Sequence, residues 1–192
     1  MVKRLFLILI LACVPAMPAH AAAPSTNVYD IEVLVFENRL PDLEGGELWD
    51  RDPDKSAGAD MKEAVSVGEM PAADSSLSAT ATALEGSGRH HVLAHLHWQQ
   101  SAEAKSVSKP VKVVSADGAL EGALRFYSSR FLFLDVNLTL REAAGRGMLA
   151  GADQIAPAYR LAEARRVKSS ETYYFDHPKF GALVRISPVK AN

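Results

Sequence analysis

Between Leu120 and Arg141 the chain alternates apolar and polar residues almost without a break. Leu124, Phe126, Leu132, Leu134, Val136, Leu138 and Leu140 take even positions, and Arg125, Tyr127, Asp135, Asn137, Thr139 and Arg141 take odd ones. A period of two marks a strand with one buried face; a helix would scatter the same residues around its axis. Only Ser128-Ser129-Arg130 interrupts the row, which leaves a bend or bulge in one long strand or a break between two. The alternation recurs from His91 to Gln100, with Val92, Ala94, Leu96 and Trp98 on one side and His91, Leu93, His95 and His97 on the other. Tyr29 to Phe36 alternates at first and then turns apolar on both faces, as a strand in mid-sheet does. Tyr159 to Val167, Glu171 to Phe175 and Ala182 to Pro188 read as further strands, and Pro110 to Val114 as a short edge strand.

Helical signals are few. Asp74 or Ser75 can cap a helix whose stripe is Leu77, Ala81 and Leu84 and which ends at Gly86 or Gly88. Asp176 to Gly181 has the parts of a tight turn: an Asx side chain to hold the backbone, a proline with φ preset, and a glycine where φ must be positive. The expected fold is therefore α+β, a single domain built on one antiparallel sheet with one or two helices packed on it.

The N-terminus decides where such a domain would work. Lys3 and Arg4 precede an apolar run from Leu5 to Val14, followed by Pro15, Pro18 and an A-x-A site at Ala19-His20-Ala21. We expect residues 1–21 to be a signal peptide, residues 22–192 to be the α+β domain, and the protein to be periplasmic. The apolar run is too short for a permanent span, and no later segment approaches the ~20 apolar residues a membrane helix needs. Cys13 is the sole cysteine. Ile10 to Cys13 resembles a lipobox, but the A-x-A site that follows favours cleavage, which leaves a chain with no disulfide and no thiolate chemistry.

Charge is unevenly spread. From Glu37 to Asp74 there are 11 acidic and 4 basic residues, whereas from Ser75 to Asn192 there are 10 acidic and 15 basic. Residues 38–74, rich in Pro and Gly and without sustained period, read as a flexible acidic loop, with Trp49 as its anchor and room for a short helix around Met61 to Val65. A mildly basic body on an exported chain favours an anionic wall polymer or lipid head groups as partner, and not nucleic acid.

Chemistry-bearing motifs are sparse. His91, His95 and His97 fall on one strand face, where side chains two apart, as His95 and His97 are, sit ~7 Å from each other, but no Asp or Glu between Arg89 and Ala102 completes a ligand set. No metal or cofactor is expected. Asp176 and His177 are adjacent and read as turn residues, and Ser128 and Ser129 sit in a strand pattern unsuited to a nucleophile. There is no G-x-S-x-G, H-E-x-x-H or S-x-x-K motif and no phosphate-cradling glycine loop. Binding is better supplied: Trp98, Tyr127, Phe131, Tyr173 and Tyr174 offer rings, and Arg125, Arg130, Arg165, Arg166 and Lys168 offer cations for carboxylates. Trp98 shares the apolar face of its strand, which points to burial.

Taken in order and spacing, YDIEVLVFEN, HVLAHLHWQQ, GALRFYSSRFLFLDVNLTL and RRVKSSETYYFDHPKFGALVRISP resemble the CsiV family of exported proteins from Gram-negative bacteria. The specific positions are Leu93, His95, Trp98, Gln100, Arg130, Tyr174, Asp176, His177, Pro178, Phe180 and Gly181. Phe133 stands where the family pattern leads one to expect histidine, which weighs further against a metal. The resemblance implies a non-enzymatic periplasmic factor that binds peptidoglycan and supports cell-wall assembly. Its implied partner is an outer-membrane lipoprotein that activates a bifunctional penicillin-binding protein. The alternatives are a protein–protein adaptor of the wall-synthesis complex without direct glycan binding, and a wall hydrolase. The resemblance carries over no catalytic residues; our candidates for ligand binding are His95, Arg130, Tyr174, Asp176 and His177.

Overall fold

The computed structural model describes residues 27–39, 61–67, 75–141 and 158–189. The expected signal peptide, Cys13, Trp49, most of the acidic loop and the turn region expected at Gly145 to Asp153 lie outside the described residues. In chain order the elements are β1 (Val28–Asn38), α1 (Ser78–Gly86), β2 (His90–Ser101), β3 (Val111–Val114), β4 (Leu120–Ser128), β5 (Leu132–Arg141), β6 (Ala158–Val167), β7 (Glu171–His177) and β8 (Phe180–Pro188).

The expected α+β architecture is wrong. The strands form two four-stranded antiparallel sheets, ordered β2-β1-β8-β7 (sheet A) and β3-β4-β5-β6 (sheet B). The physical reason lies in what is available to cover an apolar face. The helix α1 has nine residues and buries none of them, so it cannot shield a four-stranded sheet. A second sheet does so instead. One core results, joining Ile31, Val33, Val35, Phe175, Val184 and Ile186 of sheet A to Leu124, Phe126, Leu134, Val136 and Leu138 of sheet B. The Tyr29 ring meets Phe126 edge-on with centroids 5.3 Å apart. Trp98 is buried in the same layer; its Nε1 donates to Gln100 Oε1 at 2.7 Å, and Gln100 Nε2 donates to the Phe126 carbonyl at 3.1 Å.

Local details refine the reading by period. The Ser128-Ser129-Arg130 interruption is a break, with Ser128 paired to Leu132 across a hairpin. In sheet A the register shifts between Val35 and Phe36, so that Phe36 pairs with Val92. That bulge puts Val92, and not His91, on the face that carries His95 and His97. The β7–β8 turn also differs from expectation: Asp176 does not hold it. Lys179 N donates to His177 Nδ1 at 3.1 Å, and Asn38 Nδ2 donates to the Pro178 carbonyl at 3.0 Å. Nor does Gly181 have positive φ. It is glycine for space, because a Cβ there would come within 2.7 Å of the Tyr174 ring and 3.0 Å of Phe36. In the described part of the acidic stretch, residues 61–63 are helical and Val65 bridges to Val111 on the edge strand β3.

Candidate functional site

Register assigns the faces of sheet A. Ile31, Val33 and Val35 point into the core, so Asp30, Glu32 and Leu34 face outward, as do His95 and His97 on β2 and Arg185 and Ser187 on β8. Glu32 is nonetheless only 3% exposed, because the start of α1 sits on it. Ser75 Oγ donates to Oε1. Ser76 N and Ser76 Oγ donate to Oε2 at 2.8 and 2.7 Å, Leu77 N lies 3.1 Å from both oxygens, and His95 Nε2 is 2.7 Å from Oε1. The N-cap residue Leu77 offers no side-chain acceptor of its own. A carboxylate from a distant strand therefore caps α1, where the helix dipole also favours negative charge. Burial by itself would raise the Glu32 pKa, but the hydrogen bonds from Ser75, Ser76, His95 and the Leu77 amide outweigh it and bring the group down to about 2.

A second diagonal pair lies beside the first. His97 Nε2 meets Asp30 Oδ1 at 2.5 Å, while Nδ1 is buried and has no partner among the described residues. Nε2 is thus the nitrogen that faces the carboxylate and can donate to it. Asp30, Glu32, Ser76, His97, Arg185 and Ser187 line a cavity of about 240 Å³ on this outer face, every lining residue polar or charged. Arg185 stands opposite Glu32 in register, yet its hydrogen bond runs to Thr172 Oγ1 at 3.3 Å and it forms no ion pair with either pocket carboxylate.

The five candidate residues do not converge. His95 belongs to the Glu32 cluster. Its Nε2 serves both Glu32 and, at 3.4 Å, Ser75 Oγ. A nucleophile relay needs the acid and the serine on opposite ring nitrogens, so Ser75, His95 and Glu32 are arranged as a cap and not as a triad. Tyr174 lies in the same cross-strand row as His95, with Leu183 and Leu34 between them, which at ~4.8 Å per strand is about 14 Å away. Its hydroxyl donates to Asp176 at 2.6 Å, its ring runs parallel to Phe36, and it is 44% exposed. Burial first, then the neighbouring Asp176 carboxylate, pushes the Tyr174 hydroxyl well above its ordinary pKa. His177 points the other way, buried in the core against Phe180 and Tyr159, and burial lowers its pKa.

Arg130 belongs to sheet B. It occupies the β4–β5 turn beside Phe131, whose ring is 39% exposed and covered by the Arg166 guanidinium at 3.3 Å, with that of Arg130 at 5.5 Å. Nearby Tyr127 stacks on Phe133 at 5.4 Å with the Lys105 ammonium 4.8 Å from its centroid. This end of sheet B thus presents rings and cations together.

Sequence reasoning missed Asp30, Glu32, Ser76, Arg185 and Ser187. A signal existed: two carboxylates two residues apart inside the otherwise apolar YDIEVLVF must share one face and need partners there. Among the described residues no group of three or more His, Cys, Asp or Glu could hold a metal ion, and no helix is long and apolar enough to cross a membrane.

Fold and site together define a two-sheet β protein whose polar features are a carboxylate-capped helix, a small charged pocket and a ring-and-cation surface. The chain belongs to the CsiV family, whose sequence profile, described as peptidoglycan-binding protein, CsiV, matches residues 4–189. No curated protein and no solved structure shows a significant match.

Proposed function

We propose that this chain is a non-enzymatic periplasmic factor that binds peptidoglycan and supports wall assembly. Its partner in this reading is an outer-membrane lipoprotein that activates a bifunctional penicillin-binding protein. The observation that carries the reading is membership, over nearly the whole chain, of a peptidoglycan-binding family. The surface chemistry supports it: Phe131 with Arg130 and Arg166 offers a face for a sugar ring and forks for carboxylates, and Tyr174 with Asp176 offers a second exposed ring and acceptor. His177, being buried, serves this reading only by holding the turn beneath Tyr174 and Asp176.

Sedimentation with purified sacculi tests it. The chain lacking residues 1–21 is expected to co-sediment, and Arg130→Ala combined with Arg166→Ala to reduce the bound fraction. Retention no greater than that of an unrelated soluble protein would overturn direct binding. Capture by the lipoprotein without any retention on sacculi would favour the adaptor instead.

A further inference from the structure

The charged pocket on the outer face of sheet A has an unspent donor and an unspent acceptor of opposite sign. Glu32 is fully engaged as the cap of α1, so it shapes the wall of the pocket and is not open to a ligand. Asp30 is different. His97 takes only Oδ1, and among the described residues nothing occupies Oδ2. Arg185 commits one nitrogen to Thr172, and among the described residues nothing occupies the rest of its guanidinium fork. Ser187, paired with Asp30 across β1–β8, lines the same pocket, and among the described residues its hydroxyl has no hydrogen-bond partner. Asp30 and Arg185 are diagonal neighbours on adjacent strands, a spacing of ~7–8 Å. They make no ion pair. Two opposite charges held apart across one cavity leave room for a group that satisfies both.

We propose that this pocket is a subsite for a zwitterionic α-amino-acid head, its carboxylate held by the Arg185 fork and its ammonium by Asp30. The His97 bond fixes the Asp30 carboxylate in place, so the acceptor is oriented before the ligand arrives. At about 240 Å³ the cavity is smaller than the ~300–1,000 Å³ of sites for drug-sized ligands, so it admits a head group and leaves any attached chain outside. This deepens the wall-binding reading and rests on it: the peptide portion of peptidoglycan, not its glycan, would enter here.

The test uses three small probes on the chain lacking residues 1–21, followed by NMR of the Arg185 guanidinium and His97 ring. The probes are 2,6-diaminopimelate, which carries both groups at each end, pimelate, which lacks the ammonium, and 1,5-diaminopentane, which lacks the carboxylate. Saturable shifts with diaminopimelate are expected, weakened about tenfold or more in Arg185→Gln and in Asp30→Asn, as loss of one charge-assisted hydrogen bond implies. Unperturbed backbone spectra in the free variants establish that they fold. Pimelate binding as well as diaminopimelate would overturn the role of Asp30, diaminopentane binding as well would overturn that of Arg185, and no shift with any probe would overturn the subsite. Sacculus sedimentation of the same two variants separates the claims: wild-type retention without amino-acid binding sinks this inference and spares the wall-binding reading, while loss of all retention in the wild type sinks the reading itself.

Discussion

Replacing Glu32 by glutamine tests how this fold fastens its helix. The carboxylate has its pKa lowered from 4.5 to about 2 in the folded chain. At ~1.4 kcal/mol per unit, that difference corresponds to ~3 kcal/mol of stability. Because the folded value lies below the unfolded one, the contribution is complete above about pH 4.5 and is lost as pH falls toward about 2. Glutamine keeps the shape, but it offers one acceptor oxygen where two were used and turns an NH₂ toward the Ser76 and Leu77 amides, which can only donate. Urea unfolding followed by circular dichroism is therefore expected to show Glu32→Gln about 2–3 kcal/mol less stable near neutral pH, the gap closing as both proteins are taken below about pH 4. Hydrogen exchange should accelerate first at the Ser76 and Leu77 amides just before α1, which lose their acceptor. A neutral-pH difference under about 0.5 kcal/mol, or a gap that stays constant into acid, would refute the charge-cap argument.

Further outcomes follow from burial and space. His177, neutral and buried, has its pKa pushed down by burial, with Asp176 opposing and Lys179 assisting; its share of stability is present above about pH 6.5 and fades below it. His177→Gln should therefore flatten the decline in unfolding free energy between neutral pH and about pH 5, and an unchanged slope would count against this. Gly122→Ala would press a Cβ to 2.2 Å from the Asn137 carbonyl oxygen and 2.7 Å from Leu138 Cα, both backbone, and should cost ~3 kcal/mol or more. Gly181→Ala meets only the rings of Tyr174 and Phe36 and should cost ~1 kcal/mol, since the exposed Tyr174 can swing aside; equal melting temperatures for the two variants would contradict the distinction.

Most strands were legible because a half-buried strand writes its period into the sequence. Leu120 to Arg141 shows this, and so does His90–Ser101 apart from its bulge. What a period cannot carry is adjacency. Nothing in the spacing of Leu134 or Val184 says that they enter one core from different sheets, which is why a single sheet with helices is the simpler expectation. The site suffered for the same reason. His95 and His97 were visible, but a search for their carboxylates along the same strand finds none, because Glu32 and Asp30 come from the strand next door. The local rule places the cap of α1 at Asp74 or Ser75, while its acceptor arrives from β1. Tyr174 and Gly181 were both singled out, and only the packing of one against the other explains why position 181 has no side chain.

The strand order carries a consequence for assembly. Among the described strands, sheet B is a meander of successive ones, whereas the middle of sheet A is made by β1 lying against β8, the earliest against the latest. A polypeptide stalled or cut before Phe180 would have β1 bordered on one side only, its other row of amides and carbonyls left bare. The heart of that sheet therefore waits for β8, and closing it sheathes a segment synthesised long before.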